Sequence, residues 1–340
     1  MIFDARRLGF GVAMAVVVLS VMEACGYTLF LAKKGKLPYR FASENFYGEA
    51  HQYMTDHPYL PYFPSKGRVG SVEFNSWGGV GAEPESAKRR VRVLCYGGSS
   101  TFDDKWPGHL RRMLGERYEV LNMAQNGATT ADTLVKLSLL DQDLRPDYVL
   151  LYEGINDLES SYAVGFRSDY SHRRRHIGAY PYPILKRLPR WLDYSSAFTL
   201  LKWKLIGARG DLHDHYTRPF GVYDYQAGPF GLQTYRRNLM TIHAVAKAVG
   251  ARLVLGTAQY HKAGAERTLG RDFADGWEKG IATENGIVRE LAKADRSILL
   301  ADVERSFQPS DQTLVDFCHL TDAGGERVAR AFYQALRKSP

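Results

Sequence analysis

The stretch Val91-Arg92-Val93-Leu94-Cys95-Tyr96-Gly97-Gly98-Ser99-Ser100-Thr101-Phe102 constrains this chain more than any other. Its first half is an apolar run broken only by Arg92, which is how a strand buried on both faces of a parallel sheet reads. Its second half changes abruptly to two glycines and three hydroxyls. Glycines let a backbone turn where a Cβ would clash, so a hydroxyl can be displayed at the C-terminal edge of a sheet. That edge is a natural position for a nucleophile, and the rest of the chain must supply whatever serves it.

Downstream, strand and helix patterns alternate. Trp106 to Tyr118 reads as a helix, Glu119 to Ala124 as a strand, Thr130 to Leu144 as a helix and Tyr148 to Tyr152 as a buried strand. The pattern resumes with a helix from Tyr235 to Val249, ended by Gly250, and a strand from Arg252 to Gly256. A helix from Glu284 to Lys293, a strand from Ser297 to Val303 and a last helix from Asp322 to Leu336 complete it. Such alternation predicts an α/β fold: a parallel sheet with helices on both faces. No internal repeat is present.

Before this region, Leu8 to Ala32 is apolar except for Ser20, Glu23 and Thr28. Roughly 20 residues of helix cross a hydrocarbon core, so the stretch is long enough for a transmembrane helix. Glu23 costs about 2.5–3.5 kcal/mol at the centre of a bilayer and less near its edge. The same stretch fits a signal peptide, but Met22-Glu23-Ala24 is a poor cleavage site and Glu23 beside Cys25 spoils a lipoprotein acceptor. An uncleaved single-span anchor over 8–32, behind a tail at 1–7, is the expectation. Arg6 and Arg7 precede the span while Lys33, Lys34, Lys36 and Arg40 follow it, so loop charge does not orient it. Residues 33–88 carry many aromatics, prolines and glycines without a period, and read as an irregular linker wrapping the domain edge. Residues 89–338 form the expected main domain.

Between Glu159 and Phe230 the alternation lapses. This insertion holds 11 Lys/Arg against 6 Asp/Glu, with Arg173-Arg174-Arg175 and Lys202-Trp203-Lys204 standing out. It reads as a solvated helical subdomain, or as a cap or membrane-facing surface that meets an anionic polymer or lipid headgroups. The net charge of +8 is spread along the chain, and no basic run is organised as a recognition element, so no nucleic-acid partner is expected. Three cysteines cannot build a disulfide framework and read as free thiols. His172, His176, His213, Asp214 and His215 lack a metal-ligand spacing, so no metal is expected. A phosphate-binding G-x-x-x-x-G-K-[ST] loop and a G-x-S-x-G elbow are both missing from the sequence.

Four short segments fall where the expected strands end. They are Gly97-Gly98-Ser99, Asn122 to Thr129, Glu153-Gly154-Ile155-Asn156-Asp157, and Asp316-Phe317-Cys318-His319-Leu320-Thr321. Each alone is ordinary turn chemistry; together, in this order, they resemble the sequence blocks of the SGNH (GDSL-like) hydrolases. The resemblance covers roughly 90–158 and 231–338. It implies a three-layer α/β/α sandwich with a flavodoxin-like sheet. It matches Ser99 to the nucleophile, Gly127 and Asn156 to the oxyanion-hole residues, and Asp316 and His319 to the acid and base. Gly98 departs from the family's usual aspartate and Ser100 from its usual aliphatic residue; register against Gly97-Gly98 selects Ser99 over Ser100.

Those roles make physical sense. A serine hydroxyl attacks once a base takes its proton, and neutral imidazole suits that task near pH 7. Asp316, three residues before His319, can fold back on the other ring nitrogen, while Thr321 or Asp322 caps the last helix and holds the histidine in place. The N–H groups of Ser99 and Gly127 and the Asn156 amide would stabilise the oxyanion. Cys318 reads as a small packed residue. The expectation is a membrane-anchored serine esterase, without metal or organic cofactor, on the extracytoplasmic (periplasmic) side. It would act on acyl esters of envelope or secreted glycans or lipids. An O-acyltransferase using the same site and a non-catalytic envelope scaffold are the alternatives. Nothing in the sequence points to an oligomeric state.

Overall fold

Strand β1 (Val91–Gly97) lies inside a five-stranded parallel sheet with β2 (Tyr118–Asn122), β3 (Tyr148–Tyr152), β4 (Arg252–Gly256) and β5 (Leu299–Ala301), in spatial order β2-β1-β3-β4-β5. Val93 pairs with Val120 on one side and Tyr148 on the other. This computed structural model describes residues 5–40, 42, 53–55, 57–163, 165–172, 190–207 and 229–338. The helices are α1 (Ala5–Lys34), α2 (Lys105–Leu114), α3 (Thr130–Val135), α4 (Ile155–Ser161), α5 (Ser196–Gly207), α6 (Pro229–Ala248), α7 (Lys262–Leu269), α8 (Arg271–Ala294) and α9 (Asp322–Arg337). Short pieces, including Ser99–Phe102 and Val303–Ser306, are also helical.

Side chains alternate across a strand, so β1 feeds two cores. Val93 and Cys95 face Trp106 and Leu110 of α2 and Val328 and Phe332 of α9. Leu94 and Tyr96 face Leu239 and Ile242 of α6 and Ile287 and Val288 of α8. Helices thus cover both faces, giving the three-layer α/β/α sandwich, and the strand order is the flavodoxin-like 2-1-3-4-5. Arg92, the one charge in β1, is buried with its guanidinium on Glu119 Oε2 (2.6 Å) and the carbonyls of Leu144 (2.6 Å) and Glu85 (2.7 Å).

Several boundaries differ from the sequence expectations. The helix expected over Glu284 to Lys293 begins earlier, at Arg271, and runs through Gly280, where a Cβ would lie 2.5 Å from Leu158 Cδ1. The helix expected over Thr130 to Leu144 widens into a π-turn at Lys136–Leu140, where the buried Lys136 ammonium donates to the Met123 carbonyl at 2.8 Å. The linker expected to be irregular contains antiparallel pairs, Met54–Thr55 with Phe63–Pro64 and Gly67–Val69 with Val72–Phe74.

The chain divides into two compact units, Met1–Gln52 with Ala179–Pro219, and Tyr53–Gly178 with Phe220–Pro340. The sheet belongs to the second. The first contains α1 packed with α5 and the 3₁₀ turn Arg190–Tyr194. Gly9–Lys33, with a mean hydropathy of 1.9, is long and apolar enough to cross a membrane, as an anchor or a signal sequence does. Of the residues singled out in the insertion, Arg173 to Arg175, His176 and His213 to His215 lie outside the described residues.

Candidate active site

All four segments sit beyond the C-terminal ends of β1, β2 and β3 and just before α9, around the switch point where the strand order reverses between β1 and β3. Ser99 opens the short helix after β1, and its Oγ lies 2.8 Å from His319 Nε2. His319 Nδ1 lies 2.6 Å from Asp316 Oδ2, while Asp316 Oδ1 accepts the backbone N–H groups of Cys318 (2.9 Å) and His319 (2.8 Å). The carboxylate therefore folds its own loop into a turn and grips the ring at the same time.

That loop is held from three sides. Thr321 caps α9 by accepting the Gly324 N–H at 3.1 Å. The Val315 N–H bonds to the His319 carbonyl at 2.7 Å, and His261 N–H to the Phe317 carbonyl at 2.9 Å. Ser100 turns its hydroxyl to the Cys318 carbonyl (2.9 Å), so the two adjacent serines are separated by partner: Ser99 to the imidazole, Ser100 to the backbone beneath it.

The electrostatics follow from these bonds. The Asp316 hydrogen bond, helped by its charge and opposed by burial, raises the His319 pKa above the ordinary imidazole value. Burial alone would raise Asp316, but the His319 ring and the two N–H donors outweigh it and bring the acid down to about 2. Burial, then the charges of Asp316 and Glu159, push the Cys318 thiol well above its usual value. Asp316, Cys318 and His319 bring ligand-type atoms within 4.8 Å of one another, but Asp316 and His319 are engaged with each other and the thiol is held protonated. A thiolate is what a metal would need there.

Opposite this pair stand Gly127 and Asn156. Gly127 has φ +74°, a left-handed conformation that glycine adopts without strain. Asn156 Nδ2 donates to the Ala128 carbonyl at 2.8 Å. A Cβ on Gly98 would lie only 2.3 Å from that same Nδ2. The glycine standing where the family usually has aspartate therefore lets the Asn156 amide lie directly against the turn carrying Ser99. Ser99, Asn156 and Cys318 line one cavity with Tyr152, Ala258 and Gln259.

Sequence reasoning missed the supports of this side. Buried Asp157 accepts the Thr130 N–H (3.0 Å), the Thr130 hydroxyl (2.5 Å) and the Tyr170 hydroxyl (2.6 Å). It thereby ties the segment of Asn156 to that of Gly127. Tyr62, from the supposed linker, donates to the Asn126 carbonyl at 3.0 Å, and Tyr53 clusters with Phe74 and Phe102. The available signal was modest: Asp157 stands beside Asn156, and the linker is dense in aromatics.

The sequence profile of the GDSL-like lipase/acylhydrolase family matches residues 94–327. The chain belongs to this family. It is accordingly a hydrolase acting on ester bonds. No curated protein matches the sequence. Among solved structures, a GDSL-like lipase from Bacteroides thetaiotaomicron is 15% identical, with 75% of this chain and 91% of that one covered and a TM-score of 0.44. A catalytic mutant of an acetylxylan esterase from Geobacillus stearothermophilus is 18% identical, with 72% and 93% covered and a TM-score of 0.40. An α/β hydrolase enzyme from the metagenome of Lake Arreo, Spain, is 16% identical, with 72% and 94% covered and a TM-score of 0.41.

Proposed function

We propose that this GDSL-family hydrolase works through an acyl-enzyme on Ser99, with His319 as base, Asp316 as its orienting acid and the N–H groups of Ser99 and Gly127 and the Asn156 amide as oxyanion donors. The observation that supports this reading best is the line of contacts Asp316–His319–Ser99, at 2.6 and 2.8 Å. Ser99 Oγ adds to the ester carbonyl carbon while its proton passes to His319 Nε2. The carbonyl oxygen becomes an oxyanion, and collapse of the tetrahedral adduct expels an alkoxide that takes the proton from His319 and leaves as the alcohol. Water then delivers a proton to His319 as its oxygen adds to the acyl carbon, and a carboxylic acid leaves as Ser99 recovers its proton. Asp316 stays ionised throughout and stabilises the imidazolium.

The reading extends to domain limits of 89–338 with a cap-like insertion at 159–230. It further places this domain on the extracytoplasmic side and takes acyl esters of envelope or secreted glycans or lipids as substrates, supported by a membrane-length helix on the same chain. Turnover of p-nitrophenyl acetate by wild type, Ser99→Ala and His319→Ala tests the chemistry. A loss of about 10³–10⁶ is expected in each variant, and a fluorophosphonate probe should label wild type alone. Unchanged turnover in Ser99→Ala ends the assignment. A topology reporter fused after Pro340 tests the side, and a panel of acetylated glycans and lipid esters tests the substrate class.

A further inference from the structure

Glu23 is the one charge within the apolar part of α1, and the structure gives it a partner that the sequence did not foretell. Its carboxylate accepts the Ser195 hydroxyl, the Ser196 N–H (2.6 Å), the Ser196 hydroxyl (2.8 Å) and the Ala197 N–H (3.4 Å). These donors are the N-terminus of α5, whose first N–H groups have no partner within the helix and whose dipole favours an anion. The Ser196 hydroxyl also reaches the Glu23 carbonyl at 2.8 Å. A Cβ on Gly26 would fall 2.1 Å from Ser196 Oγ, so the two segments meet at a glycine. Tyr27 donates to the Tyr194 carbonyl at 3.1 Å, and Tyr39 stacks on Tyr194 with ring centroids 4.3 Å apart.

We infer that α1 and the segment from Arg190 to Gly207 form a retained two-helix membrane unit, in which Glu23 caps α5 at bilayer depth and lipid covers the remaining faces. At ~1.5 Å of rise per residue, Glu23 lies roughly 15 Å from the Lys33 end, near the middle of a ~30 Å hydrocarbon core. There a carboxylate needs fixed donors, because no water supplies them. Val16, Val17, Val18 and Leu19 are each at least half exposed. Four consecutive residues point to all sides of a helix, so a partner docked on one face would leave the others bare, whereas a bilayer covers them all. The α5 sequence of 12 residues has only Lys202 and Lys204 as charges, and Leu201 is exposed. Trp191, exposed and four residues before Ser195, has the aromatic side chain favoured where the chain leaves the hydrocarbon core. A leader that is cut away could not perform this capping, so α1 stays with the folded chain. The insertion then tethers the hydrolase domain to the membrane in addition to the linker after α1.

Cysteine accessibility in the full-length chain tests this independently of any ester chemistry. With Cys25→Ser as background, Leu201→Cys and Trp191→Cys are compared in phosphatidylcholine/phosphatidylglycerol vesicles using a charged, impermeant maleimide. Because a thiol in lipid does not ionise, Leu201→Cys should label at least ~10-fold more slowly than Trp191→Cys. Adding Glu23→Leu, which leaves α1 apolar but removes the cap, should raise labelling at residue 201 by about 10-fold while the chain stays in the membrane fraction. Equal labelling at 201 and 191, no response to Glu23→Leu, or membrane-bound chains lacking α1 would each overturn the inference. Phe198→Cys gives the same readout if circular dichroism shows Leu201→Cys to be unfolded.

Discussion

Both faces of the sheet have an apolar core, and they differ in the polar and charged groups buried beside it. The face covered by α2 and α9 is packed with apolar side chains, with Trp106 and Phe332 stacked at 4.6 Å between ring centroids. The opposite side buries a polar layer: Lys136 and Asp141 under the π-turn, then Asp157, Asn238, Glu284 and Asn285. Burial and the nearby Asp157 charge raise the Glu284 pKa well above its ordinary value. Each side delivers one half of the site. The apolar face carries His319 into place at the start of α9; the polar side carries Gly127 and Asn156. A proton-transfer pair asks only that one ring and one hydroxyl meet, which dense packing can arrange. A set of hydrogen-bond donors must keep its direction, and buried hydrogen bonds fix direction where packing alone does not.

If that division holds, the largest effect comes from the pair itself. Asp316→Asn removes the group that orients His319 and raises its pKa, so turnover should fall by about 10²–10⁴. With His319 as the proposed base, activity needs its neutral ring and is therefore lost as pH falls through the raised value. Without Asp316 that acid limb should move to lower pH in a kcat/KM profile, even as the maximum collapses. An acid limb unmoved in Asp316→Asn would assign it to another group. On the polar side, Asp157→Ala strands three donors in the interior, at roughly 1–3 kcal/mol for each one left unpaired. A drop in thermal stability should accompany a turnover loss of about 10–100-fold, since the segments of Gly127 and Asn156 come untied. Asp157→Asn, which keeps one acceptor, should recover part of both. Loss of stability with kcat intact would mean that the polar layer serves the fold alone.

The same division explains what could be read from the sequence. Strand positions, the parallel sheet and the contents of all four segments followed from apolar runs ending in turn residues, a local pattern. The α9 cap was legible as Thr321 or Asp322 for the same reason, and the structure selects Thr321. The polar layer was not, because Asp157 meets Thr130 and Tyr170 across gaps in sequence that no periodicity bridges. The start of α8 was not legible either: its first half contains Gly280, whose missing side chain is filled by Leu158 from another element. Glu23 misled, appearing as a defect in a membrane span when its partners are 172 residues and more away. Gly98 looked like a lapse from the family pattern, yet its missing side chain admits the Asn156 amide.

Gly98 sits at the seam between the two sides, and Gly98→Ala sharpens the comparison there. The new methyl must displace Asn156 Nδ2, so kcat should fall by roughly tenfold, a fraction of a full oxyanion-donor loss, with KM and stability little changed. An unchanged kcat would remove Asn156 from the oxyanion role.

The smallest catalytic effect is expected deep in the apolar face. Phe332 is fully buried and stacks on Trp106, whose indole N–H donates to Thr101 Oγ1 at 3.0 Å. Phe332→Leu should cost about 1–3 kcal/mol of stability through lost contacts and a small void. Kcat should stay within about twofold, because the His319 loop is also held by Thr321, by Asp316 and by backbone bonds that the void does not touch. Denaturant melts and turnover on the same preparations separate the two quantities. A tenfold fall in kcat from this substitution would show that packing under α9, and not the bonds in the loop, aims the imidazole. The contrast between a packed face and a hydrogen-bonded one would then no longer describe how the site is held.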